Sequence, residues 1–139
     1  LRDHDSKFKI SYFVHHFFMS EGFAQSEQAP ILNSVLSKIE MSALIRAKVN
    51  FYPQQNAVKE HGYHQDFTFI HKGFLLYINT CNGYTKIQGE EPIYSVANRA
   101  VFFDSHIPHS STGCSDEPFR ITLNINYAEN LPWGGGSND

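Results

Sequence analysis

The sequence predicts a mainly β fold, a sandwich or barrel of short strands with helical cover. Two observations carry that reading. From residue 45 onward the hydrophobic period is two, and the strand-forming runs are short and separated by turn residues. Twelve Phe and seven Tyr also favour strands and a thick core. At 139 residues the chain has the length of one domain, assigned to 1–133, followed by a flexible tail at 134–139. The chain begins at Leu1, so it is read as processed or as a fragment lacking an N-terminal element.

Taken in order, Phe8, Ile10, Tyr12 and Val14 alternate as a strand does, although the aromatic run through Phe18 also suits a helix. Pro30 then opens a helix. Ile31, Leu32, Val35, Leu36 and Ile39 share one face at a period near 3.6, and proline suits a first helical turn. Next, Ile45, Ala47, Val49 and Phe51 alternate with Arg46, Lys48, Asn50 and Tyr52. Further strands are expected at 67–70, 74–79, 84–87, 93–96, 99–103 and 120–127. Asn82-Gly83 reads as a hairpin turn, and Gln88-Gly89 with Pro92 as another. On the last strand Arg120, Thr122, Asn124 and Asn126 share one face. Composition assigns that face to solvent, whereas the nearby histidines favour a wet pocket.

The net charge of -3 is spread along the chain, which argues against a nucleic-acid or membrane surface. No apolar run reaches the ~18 residues of a membrane span. Cys81 and Cys114 lack metal-type spacing, and a reduced, cytoplasmic chain is expected.

The chemistry concentrates in His64-Gln65-Asp66 and in His109 with Arg120. On one strand, residues 64 and 66 would point the same way and reach one ion. A histidine near an aspartate is common on protein surfaces, so the pair gains meaning only from the second histidine and the arginine. His106 and His109 are both near the third position. His109 is preferred, because Pro108 can turn it onto the next strand. His61 and His71 are read as bystanders, and His4, His15 and His16 have no partner pattern. Two imidazoles and a carboxylate on one face of an ion form the ligand set of non-haem Fe(II) oxygenases. Arg120, eleven residues after His109, suits the carboxylate of an organic acid.

The ordered pieces Asn50-Phe51-Tyr52-Pro53, His64-Gln65-Asp66, Leu75-Leu76-Tyr77-Ile78-Asn79, Asn82-Gly83-Tyr84-Thr85, Asn98-Arg99-Ala100-Val101-Phe102-Phe103, Pro108-His109 and Phe119-Arg120-Ile121-Thr122 span about 85 residues. In that order they resemble the 2-oxoglutarate- and Fe(II)-dependent dioxygenases, in their prolyl-hydroxylase-like branch. The resemblance implies a double-stranded β-helix, or jelly roll, with helices packed on one sheet. It implies that His64, Asp66 and His109 bind Fe(II), and that Arg120 pairs with the distal carboxylate of 2-oxoglutarate. Tyr77 and Tyr52 stand where hydroxyls border that co-substrate, while half-buried core aromatics would look the same. Asn124 and Asn126 share Arg120's face and are expected to line the pocket. The large aromatic that some relatives carry near the end of this strand is absent. Gly83-Tyr84-Thr85 resembles the family's Gly-Gly-x-Thr turn, with Asn82 in place of the first glycine, and a plain hairpin explains it equally well.

The activity implied is hydroxylation of a C–H bond with O2, releasing succinate and CO2, with ascorbate as an expected stimulant. The substrate stays open among peptide prolines, other protein side chains and small molecules. Segments 20–30, 53–63 and 110–118 are the expected substrate-gripping loops, and 53–63 is polar enough for a lid or for plain solvation. A cupin-like metal protein with another activity, such as an isomerase, would use a similar jelly roll and histidines without needing Arg120. A non-catalytic β-sandwich binding module is the third reading.

Overall fold

The computed structural model describes residues 12–20 and 24–129. The chain enters with β1 (Phe13–Met19) and β2 (Ala24–Gln25), then a 3-10 turn (Ala29–Leu32) that runs into α1 (Asn33–Leu36). The strands β3 (Ala43–Pro53), β4 (Lys72–Tyr77), β5 (Tyr84–Ile87), β6 (Ile93–Tyr94), β7 (Ala100–Asp104), β8 (His109–Ser111) and β9 (Phe119–Ala128) follow. They form a six-stranded sheet ordered β2-β1-β3-β9-β4-β7 and a three-stranded sheet ordered β6-β5-β8. Every pairing is antiparallel. The first and last long strands, β3 and β9, lie side by side in mid-sheet, as a jelly roll requires.

Strand alternation decides what each face of the large sheet meets. Ala47 of β3, Phe74 of β4 and Leu123, Ile125 and Tyr127 of β9 point to one side, where Leu32 and Ile39 of the helical segment cover them. This is the hydrophobic core. The opposite face looks toward the small sheet and is polar on β3 and β9, while β4 and β7 add Leu75, Tyr77 and Phe103 to it. There Tyr52 pairs across from Arg120, Asn50 from Thr122, Lys48 from Asn124 and Arg46 from Asn126. The polar face of the last strand therefore lines the space between the sheets and is not a solvent-exposed surface.

Three elements differ from expectation. The helical segment after Pro30 is short: a 3-10 turn and one α-helical turn, closed by Ser37 N–H bonding back to Asn33 O. Neither piece has a side-chain cap or an acidic residue in its first turn, so nothing stabilises a longer helix. Leu32 and Ile39 are buried as expected, whereas Ile31 is 73% exposed. Residues 67–70 form no strand. Ile70 is 81% exposed, and His71 Nδ1 bonds Phe69 O at 2.8 Å, a local contact that competes with pairing. The aromatic run through Phe18 is strand and not helix, paired with β3 through a bulge between His16 and Phe18. Residues 8–11 of the expected first strand lie outside the described residues, as do His4 and the tail at 134–139.

Gln88-Gly89 makes the β5–β6 turn, with Gly89 at φ +88°. Gly83 serves another purpose. A Cβ there would stand 2.4 Å from Gly113 O and 2.5 Å from Arg120 Cδ, so the bare backbone makes room for the arginine stem. Cys81 and Cys114 are free and buried. No helix among the described residues is long and apolar enough to cross a membrane.

Gly83→Ala should lower folding stability by about 1–3 kcal/mol through overpacking, read as a shifted midpoint in chemical denaturation. Gly62→Ala, where a Cβ meets nothing within 4 Å, should move that midpoint by less than about 0.5 kcal/mol. Equal midpoints for the two variants would show that the Arg120 stem is not tightly held.

Candidate metal centre

The segment between β3 and β4 crosses the edge of the small sheet and bonds to β8 by isolated bridges. His61 N–H donates to Ser111 O at 2.8 Å, and His64 and His109 exchange both backbone hydrogen bonds at 2.9 Å. His64 is thus a bridge residue in a loop, and no regular strand carries it and Asp66 as the sequence suggested. The exchange with His109 performs the positioning, bringing the two rings to 4.6 Å between centroids.

His64, Asp66 and His109 offer ligand atoms that all lie within 4.8 Å of one another. Asp66 Oδ1 is 3.3 Å from His64 Nε2 and 3.4 Å from His109 Nε2. Two donors about 2.1 Å from one ion and at right angles sit about 3 Å apart, so this spacing suits a shared cation. The surrounding bonds leave the right atoms free. His109 Nδ1 lies 2.7 Å from Ile107 O, a carbonyl that can only accept, so Nδ1 is the donor there and Nε2 is the nitrogen left to face Asp66. That Nε2 is buried and makes no hydrogen bond. His64 Nδ1 faces Gly62 O at 3.5 Å in the same sense.

Asp66 is aimed by its other oxygen. Oδ2 accepts from Ser105 Oγ at 3.0 Å and from Asn126 Nδ2 at 2.9 Å, so Oδ1 turns to the imidazoles. Asn126 is in turn held by Arg46, whose Nε donates to Asn126 Oδ1 at 3.1 Å and whose Nη2 lies 3.6 Å from Asp66 Oδ1. Burial alone would raise the Asp66 carboxyl. The imidazoles of His109 and His64 and the amide of Asn126 outweigh it and hold the group well below the usual carboxylate range. The bond to Asp66 raises the His64 imidazole against the lowering effect of its own burial. Three acceptors facing one another need a proton or a cation between them, and these residues fit a divalent metal with one carboxylate and two neutral imidazoles. His106 and His71 stand outside this group.

Beside the triad a cavity of about 70 Å³ runs between the sheets, lined among others by Lys48, Tyr52, Thr85, Ser111 and Asn124. It shares His61, His64, Lys48 and Tyr12 with an open cleft of about 470 Å³. Arg120 lies behind the cavity wall with no exposed surface. Its Nη1 donates to Ser111 Oγ at 2.7 Å and Thr112 O at 2.6 Å, and its Nη2 to Thr85 Oγ1 at 3.3 Å. The guanidinium is sandwiched by Tyr52 and Tyr77, 5.5 and 5.4 Å from the ring centres. No carboxylate among the described residues pairs with it, and Nε has no partner.

The expected pocket residues divide. Tyr52 and Asn124 line the cavity, and burial raises the Tyr52 hydroxyl while its bond to Ser111 and the Arg120 charge lower it. Tyr77 does not line it: its hydroxyl donates to Ile93 O at 2.9 Å, and its ring lies against Arg120. Asn126 is also placed differently, as the clamp on Asp66. The sequence reading missed His61, set aside as a bystander, which lines both cavity and cleft with its ring 5.7 Å from Tyr52. It also missed Arg46, Lys48 and Ser105. The alternation on β3 that exposed the Arg120 face of β9 carries the same signal for Arg46 and Lys48.

No protein-family model matches the chain, and no curated protein does. Its backbone is similar to solved cupin structures. An RmlC-like cupin protein from Desulfovibrio desulfuricans matches at TM-score 0.53 and 10% identity, over 91% of this chain and 88% of that one. The DMSP lyase DddQ from Ruegeria pomeroyi matches at 0.55 and 13% identity over 87% of this chain. The match covers 49% of DddQ, so this chain spans about half of that protein. A cupin superfamily protein from Desulfitobacterium hafniense matches at 0.52 and 9% identity, over 86% and 79% of the two chains. The fold is therefore a cupin-type jelly roll with a candidate three-residue metal centre between its sheets. That is a coarser assignment than the prolyl-hydroxylase-like branch suggested by the motifs.

Asp66→Ala and His109→Ala should each abolish stoichiometric binding of a divalent metal while the chain still folds, as measured by metal analysis after gel filtration. His106→Ala should bind as the parent does. Asn126→Ala should bind about 10–100-fold more weakly, because it frees the ligand carboxylate to rotate. Full occupancy in the Asp66 and His109 variants would rule out this site.

Proposed function

We propose that the chain is an Fe(II) oxygenase that takes 2-oxoglutarate as co-substrate and hydroxylates a C–H bond of a second molecule, a protein side chain or a small metabolite. His64, Asp66 and His109 would hold the iron on one face. Bound there, the metal would supply O2 activation coupled to decarboxylation of the acid to succinate and CO2. O2 and the acid are then the partners, with ascorbate as a stimulant. The free, buried Cys81 and Cys114 suit a reducing cytoplasm.

The observation that carries this reading is Arg120: a fully buried guanidinium, next to a cavity that adjoins the triad, with no carboxylate partner among the described residues. Neutral hydrogen bonds reach only its two terminal nitrogens, leaving Nε and the charge uncompensated, and an uncompensated buried ion is costly. A dicarboxylic acid reaching from the triad would compensate it. The 3.3 Å bond from Nη2 to Thr85 is the weakest of Arg120's contacts and the one an acid would displace. Tyr52 then borders the acid from β3, and Asn124 lines the same cavity from β9.

A second reading keeps the metal and drops the acid: a cupin-like metal protein with a non-oxygenase activity. Two observations favour it. The fold likeness is to cupins, one of them named as a lyase. The short bonds from Arg120 to Ser111 and Thr112 also suit an ion whose task is to tie β8 to β9.

Chain loaded with Fe(II), given 2-oxoglutarate and ascorbate but no second substrate, should form succinate slowly. Arg120→Ala should raise the Michaelis constant for 2-oxoglutarate tens-fold or more, the equivalent of about 2–5 kcal/mol for a lost buried charge pair, and should keep its iron. Arg120→Lys should recover part of the loss, since a point charge cannot copy the planar fork. No succinate from the iron-loaded parent would remove the oxygenase reading and leave the cupin-like one.

A further inference from the structure

Lys48 is a cation whose position is not explained by anything described so far. It sits on the inward face of β3, in register with Asn124 of β9 on one side and His16 of β1 on the other. Its side chain lines both the open cleft and the inner cavity. Among the described residues it makes no hydrogen bond and no ion pair. Burial lowers its ammonium pKa most, the Arg46 charge adds to that, and Asp66 opposes both. A half-buried ammonium without a partner is costly to keep.

The groups around it cannot serve as that partner. Asp66 is the one carboxylate in the lining of the cleft and cavity. It is already committed to Ser105, Asn126, Arg46 and the two imidazoles. Arg46 is taken up by Asp66 and Asn126. Arg120 lies behind Ser111 and does not reach the cleft. His16, His61 and His64 are further nitrogen bases, not anions. The cleft therefore carries excess positive charge on a chain whose net charge is -3. A divalent ion on the triad would increase that excess.

We propose that Lys48 is a substrate-binding residue: its ammonium receives an anionic group, carboxylate or phosphate, on the molecule that the triad's metal acts upon. This rests on the reading of His64, Asp66 and His109 as the reacting centre. The rest of such a molecule would lie against the aromatic wall of Tyr12, Tyr52 and His61, where Tyr12 stacks on Tyr52 at 5.0 Å. A compact anionic metabolite matches the open cleft of about 470 Å³.

The test uses the full chain, metal-free and Zn(II)-loaded, with acetate, inorganic phosphate and uncharged acetamide as probes in NMR titrations. The parent should bind acetate or phosphate and not acetamide, and the tighter of the two identifies the anionic group. Lys48→Met should weaken that binding at least about ten-fold with zinc content unchanged, and Lys48→Arg should restore most of it. Lys48→Gln serves as a second uncharged variant should Met fail to fold. Parent-like anion binding in Met or Gln would overturn the proposal. So would loss of zinc in both, which would make Lys48 a support of the metal centre. The metal-free arm needs neither iron nor 2-oxoglutarate, so a failed oxygenase assay leaves this result standing.

Discussion

The clamp on Asp66 governs what the space between the sheets can do. Ser105 and Asn126 hold one carboxylate oxygen, which forces the other toward His64 and His109. Each clamp residue comes from a different part of the chain, the turn after β7 and strand β9, and both are fully buried. Arg46 closes the arrangement by bonding Asn126 and approaching Asp66. A carboxylate held this way has few orientations left, and its charge is matched before any ligand arrives. A metal held here would owe its affinity to these supports as well as to the three donors.

This arrangement inverts the usual sandwich. The large sheet packs one apolar side outward, under the helical segment, and turns the polar face of β3 and β9 to the small sheet. The outer layer of Leu32, Ile39, Phe74, Leu123, Ile125 and Tyr127 forms the main apolar cluster, and the inner layer mixes buried Leu75 and Tyr77 with charged groups. Separation of the two layers allows a fully buried Arg120 to persist. Its stem passes the bare backbone of Gly83, and its head lies between two tyrosine rings.

Much of this was legible in the residues, and the misses have physical causes. Period-two alternation exposed β3 and β9 and the polar face they share. The triad residues could be named because His-x-Asp, a later histidine and an arginine occur in order. The reason given for their meeting was incomplete: His64 reaches the site through a backbone bridge to His109, a long-range pairing that no local pattern records. Residues 67–70 alternate like a strand but lie in the loop that delivers Asp66, so tertiary demand overrode propensity. The helix was overextended because apolar spacing does not reveal missing caps. Lys48 and His61 escaped notice because each looks ordinary until the cavity beside it is seen. Tyr77 and Asn126 fell on the expected face, yet the Tyr77 hydroxyl donates to Ile93 O and the Asn126 amide to Asp66.

The central claim is that an acid bound at the triad ends its reach at Arg120. Anaerobic equilibrium binding to the Fe(II)-loaded chain tests it most directly, with 2-oxoglutarate compared against 2-oxobutyrate. The two share the keto-acid end that would meet the metal, and only the first carries a second carboxylate. The account predicts that 2-oxoglutarate binds at least about ten-fold more tightly, the smallest effect expected of a buried charge-assisted pair. Equal affinities would contradict it, because Arg120 would then be a structural ion with no part in recognition.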